Sequence, residues 1–136
     1  MLQSCDAGWM KFESSCYFIS QNEEPWSTAK LRCEDMDAHL ITINDANENS
    51  FVSNEIIPLT SMYTWIGASR GYWYYGGNNT WQWVTKETWN FTSFAPGQPS
   101  DDNFFFTCVA IAADGWHDAT CYADMSVFHY ICEKNI

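Results

Sequence analysis

Gly115-Trp116-His117-Asp118-Ala119-Thr120-Cys121, residues 115–121, is a turn leading into a short strand that ends at a cysteine. Just upstream, Thr107 to Ala112 is apolar enough for a buried strand and carries Cys108; downstream, Phe128 to Glu133 forms a last strand and carries Cys132. Two more strands precede these. Thr64-Trp65-Ile66-Gly67-Ala68 ends at small residues, and Thr80-Trp81-Gln82-Trp83-Val84 alternates. Tyr72, Trp73, Tyr74, Tyr75, Gly76 and Gly77 between them form an aromatic loop, a candidate interaction patch. Residues 86–105 hold Pro96, Gly97 and Pro99 and read as one long loop, a class that is usually functional inside a compact domain. The first half differs. Trp26, Ala29, Cys33 and Met36 mark one face of a helix behind Pro25, and His39 to Ile43 is a short strand. Asp45 opens a second helix running to about Ile56, stopped by Pro58. Segment 5–18 suits a small hairpin, with a turn near Gly8 and aromatic residues beside Cys16. Helices early and strands late indicate α+β architecture.

The whole composition narrows the function. The chain has 136 residues, 46% hydrophobic and 18% aromatic, which suits one domain with a real core and excludes disorder. Six basic residues against seventeen acidic ones, a net charge of −11, argue against nucleic acid and anionic membrane as partners. No apolar run approaches the ~20 residues that span a bilayer. The six cysteines contain no C-x-x-C pair, so three disulfides in an oxidising compartment are favoured over metal ligation, with fifteen connectivities open. The sequons Asn78-Asn79-Thr80 and Asn90-Phe91-Thr92 are candidate glycosylation sites and fit a secreted chain. Residues 1–4 are too short for a signal peptide, so a mature chain with a start Met is expected. No nucleophile elbow, zinc-protease motif or phosphate loop appears, so an enzyme is not expected.

Taken in order, the motifs resemble the C-type lectin-like domain. Cys5-x-x-Gly8-Trp9 with Cys16-Tyr17-Phe18 is similar to the long-form amino-terminal hairpin, Trp65-Ile66-Gly67-Ala68 to the Trp-Ile-Gly-Leu core strand, and Trp81-Gln82-Trp83 to the strand that follows. Gln98-Pro99-Ser100 stands where the family carries Glu-Pro-Asn or Gln-Pro-Asp, and Trp116-His117-Asp118 where it carries Trp-Asn-Asp. The resemblance covers residues 5–133, leaving tails at 1–4 and 134–136. It implies two helices, two small antiparallel sheets, a long loop region and a cis Pro99. It also implies the disulfides Cys5–Cys16, Cys33–Cys132 and Cys108–Cys121.

Many family members bind sugar through calcium, an ion that takes six to eight oxygen ligands. In this chain Gln98 and Asp118 remain, but Ser100, Phe106 and His117 replace three of the five implied ligands. Imidazole suits a hard cation poorly. No cofactor and no metal are therefore expected; a galactose-type calcium site using Asp101 and Asp102 in a shifted loop is the alternative. The expected ion-free sugar surface comprises Gln98, Ser100, Asp102, Phe104, Phe105, His117 and Asp118. Asp118 and His117 match the N–H and C=O of an acetamido group, and an aromatic ring matches its methyl, which points to N-acetylhexosamines (GalNAc or GlcNAc). Structural roles compete: His117 as a turn cap, Asp118 as an acceptor for loop amides, and Trp65, Trp81, Trp83 and Trp116 as core. The function expected is a secreted lectin for agglutination or innate defence, acting as a non-covalent homodimer. A lectin-like domain for a protein or other non-sugar ligand is the rival.

Overall fold

A computed structural model describes residues 4–60, 63–70, 80–100, 107–121 and 126–136. Its strands are β1 (Met10–Phe12), β2 (Ser15–Ile19), β3 (His39–Leu40), β4 (Thr64–Arg70), β5 (Trp81–Trp83), β6 (Thr107–Ala112), β7 (Gly115–Thr120) and β8 (His129–Asn135); its helices are α1 (Trp26–Asp35) and α2 (Ala46–Phe51). The α+β class holds. The strand path runs β1-β2-β8-β4-β6-β7, with β3 added to β8 and β5 to β4. The two expected antiparallel sheets meet at β8, which pairs antiparallel with β2 and parallel with β4, so the whole is mixed.

The helices follow their sequence signals. Pro25 holds an extended conformation before α1, and Trp26, Ala29 and Cys33 bury the expected face. The Asp45 side chain caps α2 by accepting from the Glu48 amide at 2.8 Å. The α-helical turns end at Phe51 instead of Ile56. Val52–Ile56 widens into a π turn and Ile57–Leu59 tightens into a 3₁₀ turn, which together bury Val52, Ile56 and Ile57. The His39–Ile43 strand shortens to two residues, while β4 and β8 each end two residues later than expected and β8 starts one residue later.

Two apolar clusters fill the two sides of the sheet. One holds Ile43, Val52, Ile56, Ile66, Trp83, Val109, Ile111, Trp116 and Ile131; the other holds Trp26, Ala29, Leu40, Trp65, Ala110 and Tyr130. Trp65, Trp83 and Trp116 are core residues, as expected; Trp81 is only partly buried against the first cluster. The three disulfides are Cys5–Cys16, Cys33–Cys132 and Cys108–Cys121. Cys33–Cys132 ties α1 to β8 across 99 positions, a closure worth about 4.7 kcal/mol in the chain-entropy account.

Glycine is required in the Trp-Ile-Gly strand. A Cβ at Gly67 would lie 2.7 Å from the Leu40 oxygen and 2.9 Å from the Ile41 oxygen. The bare backbone instead lets the Gly67 amide donate to Ile41 at 2.7 Å. Among the described residues no helix is long and apolar enough to cross a membrane.

Candidate functional site

The site is set by one strand and the loop beside it. Residues 84–100 contain no helix or strand. They are held instead by aromatic packing: Trp89, Phe91 and Phe94 lie 6.1, 6.0 and 5.5 Å from the Trp116 ring. Ala95 donates to the Trp116 carbonyl at 3.0 Å, and Trp116 donates back to Ser93 at 2.9 Å. Gly115 makes this approach attainable, since a Cβ there would meet Ala95 N at 2.8 Å and Ser93 O at 2.9 Å. The Trp116 indole donates to Asn49 of α2 at 3.0 Å. The loop is therefore registered to β7 by the core before it reaches the polar residues.

Beyond Ala95 the loop turns through a cis Gln98–Pro99 bond. Gln98 Oε1 accepts the Asp118 amide at 3.2 Å. Asp118 Oδ1 accepts both the Ser100 amide at 3.1 Å and the Ser100 hydroxyl at 2.9 Å. The structure thus brings Gln98, Ser100 and Asp118 together, with Asp118 accepting a loop amide as its structural alternative anticipated. Ser100 is exposed and Asp118 half-buried.

His117 goes elsewhere. Neighbouring residues of a strand point to opposite faces, and its ring packs edge-on against Tyr63 at 5.1 Å with Nε2 2.8 Å from Asp114 Oδ1. That hydrogen bond holds the exposed Asp114 carboxyl below its ordinary range. The expectation that His117 and Asp118 serve one ligand group side by side meets this separation. Tyr63, Asp114 and Asn49 were not singled out from sequence: each lies in another segment or on a turn, and only folding makes them neighbours. Asp102, Phe104 and Phe105, together with Asp101, Phe106, Tyr122, Tyr72–Tyr75 and Asn78, lie outside the described residues. Asn90 is exposed.

The described donor set does not fit a calcium ion. It offers one carboxylate and one amide oxygen of the family pattern, and Gln98 Oε1 and Asp118 Oδ1 both already accept hydrogen bonds from the protein. Among the described residues, no group of three or more His, Cys, Asp and Glu side chains is placed to hold a metal.

A second cluster of titratable groups, also unread from sequence, lines a cavity of about 500 Å³ between β2, α2 and β8. Glu133, 5% exposed, accepts from the Ser15 hydroxyl at 2.8 Å and the Thr42 amide at 3.1 Å. Glu48 accepts from Tyr17 OH at 3.0 Å and the Asn44 amide at 2.9 Å. Glu87 accepts from Thr42 at 2.9 Å and Asn44 Nδ2 at 2.8 Å. Burial, and then the Glu133 charge, push Glu48 up to about 7 against the pull of its hydrogen bonds. Burial likewise raises Glu133. It also acts upward on Glu87, but hydrogen bonds from Thr85, Thr42 and Asn44 outweigh it and leave that carboxyl low. Desolvation raises Tyr17 as well.

Similarity to known proteins bears on the fold and the family. Residues 22–134 match the family model described as the lectin C-type domain. Human C-type lectin domain family 10 member A is 31% identical over 97% of this chain and 40% of its own length. The calcium-independent C-type lectin SPL-2 from Saxidomus purpuratus superimposes with a TM-score of 0.81 at 28% identity, covering 96% of this chain and 93% of that one. An SPL-1–GlcNAc complex gives 0.81 at 26% identity, with 96% and 94% coverage. The chain spans between 40% and 61% of the length of the curated relatives named as family 10 and family 6 members. These relatives are lectins and not enzymes. With the matched fold, the three disulfides and the family model spanning most of its length, the chain belongs to the C-type lectin domain family.

Proposed function

We propose that this C-type lectin domain binds N-acetylhexosamines, GalNAc or GlcNAc, without a calcium ion, as a secreted protein of agglutination or innate defence. The observation that carries the reading is the Gln98–Ser100–Asp118 lock. Where a calcium-binding relative would need an ion to hold its ligand oxygens, protein donors hold them here. A polar surface fixed in this way needs no ion to be pre-organised, and pre-organisation lowers the cost of binding. The Asp118 carboxylate suits an acetamido N–H, which galactose lacks. The sugar class is further supported by likeness to a lectin solved with GlcNAc and to another described as calcium-independent.

Millimolar binding at one site is worth only about 4 kcal/mol, so agglutination requires more than one site. All six cysteines are paired within the chain, which makes the proposed homodimer non-covalent. The three disulfides support an extracellular location. Haemagglutination inhibited by free sugars, run with and without EDTA, tests the reading. Agglutination persists in EDTA and GalNAc or GlcNAc inhibits at roughly tenfold lower concentration than galactose, about 1.4 kcal/mol. Loss of activity in EDTA overturns the ion-free mechanism; equal inhibition by galactose overturns the acetamido specificity. Absence of agglutination in both conditions favours a protein ligand.

A further inference from the structure

We infer that Asn90 is an N-glycosylation site and that its oligosaccharide stands clear of the proposed glycan-binding surface. The motif Asn90-Phe91-Thr92 lies in a segment whose exposure alternates. Thr88, Asn90 and Thr92 are exposed, while Trp89 and Phe91 are half-buried. This alternation with a period of two puts the acceptor asparagine and its threonine on the outward side together. Neither side chain makes a hydrogen bond among the described residues. The inward partners fix the segment: Trp89 lies 4.7 Å from Trp83, and Phe91 lies 6.0 Å from Trp116. An acceptor raised outward between two anchored aromatic rings accommodates a bulky hydrophilic group and leaves the apolar packing beneath it undisturbed.

The location separates modification from binding. Phe94 bridges Trp116 in parallel, and the loop then runs along β7 until Gln98 meets Asp118. Asn90 precedes that bridge, on the stretch of the loop that leads in from β5, whereas Gln98 and Ser100 follow it. In the modification, Asn90 Nδ2 loses a proton and bonds to the anomeric carbon of a GlcNAc, while that carbon's bond to a lipid pyrophosphate breaks. The donor is a lipid-pyrophosphate oligosaccharide, and lipid pyrophosphate leaves. The inference rests on passage through a secretory compartment and not on which sugar the site binds.

The full chain expressed in a eukaryotic secretory host, treated with N-glycosidase F and read by peptide mass spectrometry, tests it. The wild type shows Asn90 converted to Asp by the enzyme, and Asn78→Gln retains that signal. Asn90→Gln and Thr92→Ala each lose it, and N90Q keeps GlcNAc and GalNAc binding within twofold of wild type. An unmodified Asn90 peptide from secreted wild-type protein overturns the inference. A tenfold change in binding on deglycosylation of wild type overturns the claim that the oligosaccharide stands clear. Absence of sugar binding in both glycoforms, with Asn90 modified, counts against the proposed function and leaves the modification standing.

Discussion

Asp118 and Glu133 solve one problem at two depths. Each is a carboxylate whose oxygens accept from neutral hydroxyl and amide donors: Ser100 for Asp118, Ser15 and Thr42 for Glu133. Asp118 sits half-open beside a loop, whereas Glu133 is buried at the back of a cavity that half-buried Glu48 and exposed Glu87 also line. The difference teaches what burial adds. At the surface such a lock positions a loop. In the interior it also makes the fold sensitive to protons, because desolvated carboxylates near one another resist ionisation.

The largest effect expected is at the buried end. Glu133→Ala strands the Ser15 hydroxyl and the Thr42 amide, and urea unfolding should show a loss of about 3 kcal/mol, with sugar affinity unchanged in the folded fraction. An equal loss of affinity would erase the distinction between the two ends. Asp118→Ala should do the reverse: calorimetry should find roughly tenfold weaker GlcNAc or GalNAc binding, about 1.4 kcal/mol, while stability changes less than in E133A. His117→Ala, on the other face of β7, should leave binding within about twofold; if it matches D118A, the two residues serve one site after all.

Proton linkage sharpens the contrast further. Glu48 and Glu133 have raised values, so the folded state holds protons more tightly than the unfolded chain, and stability climbs as pH falls through about 7. Glu87 has the opposite sign, so its contribution is lost in stronger acid. Melting scans should rise from pH 8 to pH 6 by on the order of 1 kcal/mol, discounted for the partial exposure of Glu48. They should fall again in strong acid, and Glu48→Gln should flatten the rise. A wild type that melts lower at pH 6 than at pH 8 would break this account. The smallest effect within the Gln98–Ser100–Asp118 lock belongs to Ser100→Ala. It removes one exposed hydroxyl donor to Asp118 and keeps the amide, for about 0.5 kcal/mol in affinity.

Much of the fold was legible because its signals are local or framed by cysteines. The α1 face of Trp26, Ala29 and Cys33, the Asp45 cap and the β6 boundaries all follow from spacing and residue chemistry. The end of α2 was not, because the π turn places Val52 and Ile56 in a core assembled from distant strands. The site divides in the same way. Gln98, Ser100 and Asp118 were read from motif position and meet in space. The separation of His117 follows from strand alternation together with Tyr63 and Asp114, whose contributions carry no mark in a linear motif. The carboxylate cavity draws on residues scattered from Phe12 to Asn135, so no window of sequence displays it.

The strand order has a practical consequence. The hairpin of β1 and β2 forms one edge of the sheet path and β7 the other. The carboxyl-terminal Ile136 donates to Ser14 in that hairpin at 2.9 Å. Both described ends of the chain therefore gather at the edge remote from Gln98, Ser100 and Asp118. A stalk, a surface linker or a fluorophore joined at either end would hold the domain by its back, with the loop surface presented outward.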